Sequence, residues 1–165
     1  MEGLMVKNFF RVISGGQTGV DRAALDAAMK LGIEVGGFCP KGRRAEDGPI
    51  DEQYPLTETA SRAYPVRTEK NVAASDGTLI LTGGPLKGGT ALTVRLAKKH
   101  GKPYLILDPA RQEEAKKLRK WLRIYAITVL NVAGPRESES PGIYERSLSF
   151  LEKALKQRDP RQKGR

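Results

Sequence analysis

The feature that most constrains the fold of this chain is a regular alternation of short apolar segments with helix-like segments. Five segments rich in β-branched or aromatic residues predict strands: residues 9–14, 33–38, 77–82, 102–108 and 126–134. Four segments with apolar side chains at helical spacing predict helices: residues 21–32, 90–101, 111–124 and 141–157. This alternation predicts right-handed crossovers and a mostly parallel α/β sheet that is covered by helices on both faces.

The middle of the chain is less regular. Residues 39–63 combine proline, glycine and mixed charge, which predicts a long surface loop. Residues 63–66 predict a short strand, and residues 68–75 predict a short helix. Because 165 residues is the usual length of one domain, we expect a single ligand-binding domain over residues 1–157. Residues 158–165 have no apolar anchor and are expected to form a basic, mobile tail.

The net charge of +10 raises the question of a nucleic-acid partner, but its distribution argues against one. Residues 1–94 contain 11 basic and 11 acidic side chains, whereas residues 95–123 contain 10 and 3. The surplus of basic residues falls on helical stretches and the tail, away from most of the glycine-rich segments. No aromatic side chains cluster within these basic stretches. We therefore expect solvated helix faces, with a surface that binds phosphate backbones as the alternative.

Other functional classes are disfavoured by composition. No apolar run approaches the roughly 20 residues of a membrane span, and the N-terminus has no signal segment, so no membrane association is expected. Cys39 is the only cysteine, which rules out an internal disulfide and fits a reducing, cytoplasmic location. With a single histidine, His100, the chain also lacks an ordinary Cys/His zinc site.

Three loops that follow predicted strands carry the strongest functional signal: SGGQTGVD at 14–21, TGGPLKGGT at 82–90 and NVAGPRES at 131–138. The carboxyl ends of parallel strands share one edge of the sheet, where α/β proteins bind ligands. Glycine lets backbone N–H groups approach a ligand, and a following helix start adds free N–H groups and partial positive charge. Together the loops predict an anion site, most often one for phosphate. Their spacing fits neither G-x-G-x-x-G nor G-x-x-x-x-G-K-[ST], which disfavours NAD binding and ATP hydrolysis.

The predicted binding residues lie in and beside these loops. Arg22 is either a phosphate clamp or a surface charge. The stretch CPKGRRAEDGP at 39–49 is either a solvated loop or a lid whose cations meet a phosphate. Arg67 and Asn71, four residues apart, share one face of the short helix. The full predicted set is Gly15, Gly16, Gln17, Thr18, Gly19, Asp21, Arg22, Lys41, Arg43, Arg67, Asn71, Gly83, Gly84, Gly88, Gly89, Thr90 and Arg136.

Three carboxylates are candidate catalytic residues if the chain is an enzyme. Asp21 is either a helix cap or first-turn residue, or a ligand contact or acid/base group. Glu46 and Asp47 lie in the predicted lid. As two adjacent carboxylates without a histidine, they would suit a hard ion such as Mg²⁺.

Several motifs in order resemble the molybdenum carrier family: SGGQTGVDRAALDAA, GGFCPKGRRAEDGPI, YPLTET, RTEKNVAASDGTLIL, GGTALT and NVAGPRES. The resemblance runs from about residue 11 to residue 155. It implies a Rossmann-like three-layer α/β sandwich that is commonly homo-oligomeric, so a homodimer or higher even oligomer is expected. It also implies that the loops bind molybdenum cofactor (molybdopterin), a pterin with a terminal phosphate.

The same resemblance offers an enzymatic alternative, because the family is related to lonely-guy, DNA-processing-A and "lysine decarboxylase-like" proteins. Lonely-guy enzymes are nucleoside 5′-monophosphate phosphoribohydrolases, which cleave an N-glycosidic bond and carry P-G-G-x-G-T-x-x-E. This chain keeps Gly89 and Thr90, but Thr93 stands in the position of the glutamate. Glycosidic cleavage needs a carboxylate near the sugar, so binding of a phosphorylated pterin or nucleotide is the preferred interpretation.

Overall fold

The computed structural model describes residues 10–156, and within this range the chain forms seven strands and five α-helices. The strands are β1 Arg11–Ile13, β2 Glu34–Gly36, β3 Phe38–Cys39, β4 Thr57–Glu58, β5 Gly77–Leu81, β6 Tyr104–Leu107 and β7 Val129–Ala133. The helices are α1 Val20–Lys30, α2 Tyr64–Ala74, α3 Gly88–Lys99, α4 Ala115–Ile124 and α5 Ile143–Lys156. A single 3₁₀ turn, Gln112–Glu114, precedes α4.

Five of these strands form one parallel sheet in the order β2–β1–β7–β5–β6. The strand that comes last in the chain, β7, therefore lies in the middle, between β1 and β5. Strands β3 and β4 form a separate two-stranded parallel sheet. The predicted Rossmann-like α/β fold is confirmed.

Helices cover both faces of the five-stranded sheet. On one face α1, α4 and α5 enclose the main core, which includes Leu79 and Leu130 from the sheet and Phe150 from α5. On the other face α2 packs against α3. Because side chains alternate along a strand, Asn131 of β7 and Thr78 of β5 lie opposite that core and face α2 and α3. Their position fixes the side of the sheet on which the candidate site lies.

The predicted strand at residues 63–66 is wrong, because α2 begins at Tyr64. Pro65 lies in the first turn of this helix, where its fixed φ is already helical and its missing N–H costs no hydrogen bond. The proline is therefore a helix-start signal at this position.

The prediction of a surface loop over residues 39–63 needs correction too. This segment contributes strand β4 and buries the apolar side chains of Ala45, Ile50, Tyr54 and Leu56. With Leu25 and Cys39 they form a small core of their own beside α1. The segment is thus a packed subregion that is fixed against the N-terminal half of the domain.

Within the described residues, no helix has the length and apolar character needed to cross a membrane. The tail predicted over residues 158–165 lies outside the described residues. The assignment of residues 1–157 to one domain stays a prediction.

Candidate functional site

A cleft opens where the carboxyl ends of β1 and β7 meet the start of α3, on the face covered by α2 and α3. Its cavity volume is about 200 Å³. The lining residues come from four stretches of the chain: Gly15, Gln17, Asp21, Arg67, Thr68, Asn71, Gly88, Gly89, Thr90, Thr93, Asn131, Val132, Ala133, Gly134, Arg136 and Glu139. The predicted residues that line it are Gly15, Gln17, Asp21, Arg67, Asn71, Gly88, Gly89, Thr90 and Arg136.

The start of α3 presents free hydrogen-bond donors to this cleft. The helix begins at Gly88 after Lys87, which makes no side-chain cap. Among residues 10–156, the backbone N–H groups of Gly88 and Gly89 have no acceptor within hydrogen-bond distance. Free N–H groups at the positive end of a 12-residue helix favour an anion.

Arg67 brings a buried positive charge to the opposite wall. Its side chain reaches from α2 to the loop after β1, where Nη1 donates to the Gly15 carbonyl at 2.8 Å. A Cβ on Gly15 would lie 2.2 Å from Nη1, so only glycine lets the guanidinium approach this closely. Arg67 is only 7% exposed, and its nearest carboxylate, Asp21, is 3.8 Å away.

Gln17 adds a buried donor that the fold leaves unused. Its Oε1 accepts hydrogen bonds from the backbone N–H groups of Thr18 at 3.0 Å and Glu46 at 2.8 Å. These bonds fix the orientation of the amide. Among the described residues, the buried Nε2 has no hydrogen-bond partner. A buried polar group without a partner is uncommon in folded proteins, so this donor is a candidate contact for a ligand.

Asp21 is a buried carboxylate in the same cleft. Its Oδ2 accepts a hydrogen bond from the Gln17 backbone N–H at 3.3 Å. Desolvation raises the pKa of Asp21, and the nearby Arg67 guanidinium opposes this rise. The residue therefore stabilises the turn that precedes α1 and also faces the cleft.

Arg136, in the loop after β7, lines the cleft and forms an ion pair with a nearby glutamate. Its Nε is 3.1 Å from Oε1 of Glu139. A Cβ placed on Gly88 would lie 3.9 Å from Oε2 of the same glutamate. The Glu139 carboxylate thus lies close to two of the groups that would attract a ligand anion, Arg136 and the start of α3.

Other predicted residues join the loops to each other. The Thr18 hydroxyl donates to Oε2 of Glu46 and accepts from the backbone N–H of Glu137 at 3.1 Å. Ser138 donates to both Glu46 oxygens, through its hydroxyl at 2.5 Å and its backbone N–H at 3.2 Å. Desolvation raises the pKa of Glu46, but the hydrogen bonds from Ser138 and Thr18 hold it below its ordinary value. Glu46 therefore ties the 39–63 segment to the loops after β1 and β7.

Arg22 and Asp47 form a bidentate ion pair outside the cleft. The Arg22 guanidinium donates to both Asp47 oxygens, at 3.0 and 3.2 Å, and to the Gly16 carbonyl. The Arg22 hydrogen bond lowers the pKa of Asp47. Arg22 also lines a second cavity beside Tyr54 and Tyr144.

The remaining predicted residues lie outside the lining of the cleft. Arg43 donates to four backbone carbonyls within residues 50–56 and so organises the small core. Gly19 has a φ of 79°, and a Cβ there would lie 2.4 Å from the Pro135 carbonyl oxygen. Glycine is required at this position by both the turn and the approach of the loop after β7. Also outside the lining are Gly16, Lys41, Gly83 and Gly84.

The predicted set omitted several lining residues, notably Thr68, Thr93, Asn131 and Glu139. Asn131 had a recognisable signal, since a polar side chain within an apolar central strand needs a partner. Its Nδ2 donates to the Thr78 hydroxyl at 3.2 Å. Thr93 donates to the Gly89 carbonyl at 2.9 Å, which places it one turn along α3. No sequence pattern distinguished Glu139 from an exposed loop residue.

The part of the chain that the structure describes contains no group of three or more His, Cys, Asp or Glu side chains arranged to hold a metal ion. Glu46 and Asp47 are adjacent in sequence, but their carboxylates bind different partners. Binding of Mg²⁺ stays a prediction, and the described residues contain no cluster of carboxylates that would hold it.

Comparison with known proteins establishes the family. The model of the circularly permutated YpsA SLOG family matches residues 12–155. The chain belongs to this family. Among solved structures, it is similar to a "putative molybdenum carrier protein" from Syntrophus aciditrophicus SB, with 47% identity and a TM-score of 0.86. That match covers 93% of this chain and 99% of the relative.

Two further comparisons are less informative. The chain resembles (E)-4-hydroxy-3-methyl-but-2-enyl diphosphate reductase at 17% identity, over 92% of this chain and 62% of that enzyme. The TM-score is 0.39, so this likeness carries no argument. No curated protein matches the chain at a significant level.

Proposed function

We propose that this protein binds and carries a phosphorylated heterocycle, with molybdenum cofactor as the favoured cargo and a nucleotide as the next. The observation that carries the proposal is the group of unused donors in one cleft. The N–H groups of Gly88 and Gly89 and the amide of Gln17 lack acceptors among the described residues. The buried guanidinium of Arg67 adds a positive charge beside them.

These donors suit a phosphate better than a neutral group. A phosphate offers several acceptor oxygens, and charge-assisted hydrogen bonds to it are stronger than neutral ones. A helix start with glycines is also the usual phosphate-binding element of α/β proteins. The cleft therefore fits the phosphate end of the cargo, and Ala133 adds one small apolar side chain to its lining.

The relative named as a molybdenum carrier supports the carrier role, because 47% identity extends over 93% of this chain. Molybdenum cofactor combines a pterin ring with a terminal phosphate, and that phosphate matches the anion donors of the cleft. As a carrier, the protein would hold the metal as part of its cargo. No residue that lines the cleft is a cysteine or a histidine, so the lining offers no thiolate or imidazole ligand to the molybdenum.

The test is ligand retention with a variant that fills the cleft. A Cβ on Gly89 meets no heavy atom within 4 Å, and its φ lies outside the left-handed region. Gly89→Leu should therefore fold normally and obstruct the anion donors. Native mass spectrometry of the wild type, purified from its own host, should show a bound phosphorylated heterocycle that this variant lacks.

Ala73→Leu is the matched control, because it adds the same side chain at an exposed position of α2 outside the cleft. Thermal-shift titration with pterin phosphates and nucleotides should stabilise the wild type and the control alike. Equal stabilisation of the Gly89→Leu variant by every such compound would refute the cleft as the binding site.

An enzymatic function is the second candidate, and the position of Asp21 favours it. Of the three candidate carboxylates, Asp21 alone lines the cleft in the described structure. Burial raises its pKa, as is common for acid/base groups. A nucleotide hydrolase should release free base from a nucleoside 5′-monophosphate, and Asp21→Asn should abolish that release. If none of the four common nucleoside 5′-monophosphates is hydrolysed, the enzymatic function is refuted and only the carrier function stands.

We also propose that the protein forms a homo-oligomer and that it is located in the cytoplasm. The family resemblance motivates the first, and the single, buried Cys39 motivates the second. Size-exclusion chromatography with light scattering would test the oligomer, which should have the mass of an even number of chains.

A further inference from the structure

Three guanidinium groups surround the ring of Tyr64 beside the cleft. The guanidinium carbon of Arg44 lies 4.4 Å from the ring centroid, and those of Arg67 and Arg136 each lie 5.1 Å from it. Tyr64 is at the first position of α2, whereas Arg44 comes from the 39–63 segment and Arg136 from the loop after β7. Three separate parts of the chain thus bring like charges to one aromatic ring.

Among the described residues, only two of these three guanidinium groups have a carboxylate within ion-pair distance. Arg136 pairs with Glu139, and Arg67 lies 3.8 Å from Asp21. Arg44 has no carboxylate within ion-pair distance among residues 10–156, and Nη1 donates to the Arg62 carbonyl. The ring attracts each guanidinium, but the guanidinium groups repel one another. An anion placed between them would remove this repulsion.

The cleft itself is small for a complete ligand. Its volume of about 200 Å³ is below the roughly 300 Å³ at the lower end of the range for small-molecule sites. Arg67 and Arg136 line the cleft and also contact the ring of Tyr64, so Tyr64 and Arg44, which do not line the cleft, lie next to these two lining residues. A ligand that extends from the start of α3 past Arg67 and Arg136 would reach Arg44.

We propose that Arg44 and Tyr64, with Arg67 and Arg136, form a second anion subsite that selects ligands with two neighbouring phosphate groups. The proposal rests on the proposed anion site in the cleft and specifies its ligand class. The favoured ligand is a diphosphate ester of a heterocycle. One phosphate would lie at the start of α3, and the other would lie among the three guanidinium groups beside Tyr64. A heterocycle with a single phosphate would leave Arg44 without a counter-ion and bind less tightly.

Calorimetric titration with inorganic phosphate and with pyrophosphate, at constant ionic strength, tests the proposal. The wild type should bind pyrophosphate about 10-fold more tightly than phosphate, as one additional set of charge-assisted hydrogen bonds implies. Arg44→Gln should remove most of this preference while changing phosphate affinity less than about twofold. Tyr64→Leu should do the same, and Tyr64→Phe, which keeps the ring face, should retain the preference.

Arg95→Gln is the charge-matched control, since Arg95 is exposed on α3 and does not line the cleft. It should bind both anions like the wild type. If Arg44→Gln weakens both anions equally, or if the wild type does not prefer pyrophosphate, the second subsite is refuted and the cleft proposal stands. If neither anion binds to the wild type, both proposals fail.

Discussion

At the scale of single residues, the candidate site is defined by donors that the fold positions and leaves unused. The Gln17 carbonyl oxygen accepts two backbone hydrogen bonds, so the amide cannot rotate to pair its Nε2 elsewhere. An unpaired buried donor costs about 1–3 kcal/mol of stability. A ligand that accepts this hydrogen bond would recover part of that cost, which couples binding to stability.

Glu139 gives a residue-scale prediction, because its carboxylate competes with the ligand for Arg136. Glu139→Gln should raise phosphate affinity by about threefold at low salt, since exposed ion pairs are worth less than about 1 kcal/mol. The gain should shrink as salt is added. Calorimetric titration with phosphate measures it, with the exposed Glu113→Gln on the 3₁₀ turn as the control. An unchanged or lower affinity for the Glu139 variant would show that the carboxylate does not oppose the ligand.

At the scale of elements, Asp76 joins two central strands at the end opposite the site. It lies just before β5, and its Oδ2 accepts hydrogen bonds from the Val129 N–H at 2.8 Å and the Thr128 N–H at 3.0 Å. The Thr128 hydroxyl donates to the same oxygen at 2.9 Å. Desolvation raises the pKa of Asp76, but these hydrogen bonds hold it below its ordinary value. The carboxylate therefore fixes the start of β7 beside β5.

Asp76→Asn should lower the free energy of unfolding by about 1–2 kcal/mol at pH 7, because one charged acceptor serves three donors. The lowered folded-state pKa means that this contribution is present above the unfolded pKa of about 4 and is lost as pH falls through the folded value. The difference between variant and wild type should therefore shrink at acid pH. Urea unfolding at several pH values checks this, with the exposed Glu52→Gln as a control. A difference that stays constant with pH would contradict the assignment.

Local sequence patterns predicted most of the helices and strands, because these elements depend largely on residues that are close in sequence. The apolar run that becomes β5 and the spacing of Leu118 and Leu122 in α4 both report burial directly. The small core of the 39–63 segment could not be predicted this way. Its buried residues, such as Ala45, Ile50 and Tyr54, follow no helical or strand period. They are buried because the segment folds against α1, which is a long-range contact.

At the scale of the whole molecule, the site depends on the strand order. β7 is last in sequence but lies between β1 and β5, so its loop reaches the loop after β1. Glu137 and Thr18, which are 119 residues apart, are hydrogen-bonded as a result. Sequence indicated that three loops share one edge, but it could not indicate which strands are neighbours. Arg67 and the start of α3 join the cleft only because α2 and α3 pack on the same face.

A basic surface elsewhere on the molecule is a competing location for a bound anion. The basic surplus between residues 95 and 123 includes exposed α4 side chains such as Lys116, Lys117 and Lys120. A generic basic surface would attract phosphate without any built site. Distinguishing the cleft from this surface therefore requires a measurement that locates the bound anion.

Titration of the ¹⁵N-labelled protein with inorganic phosphate, followed by amide chemical shifts, tests the central claim most directly. We expect the largest shifts on the backbone amides of Gly88 and Gly89 and on the side-chain amide of Gln17. These signals should saturate with one common dissociation constant, and Gly89→Leu should remove that saturable response. Shifts confined to the α4 amides near Lys116 and Lys120, with Gly88, Gly89 and Gln17 unmoved, would contradict anion binding in the cleft.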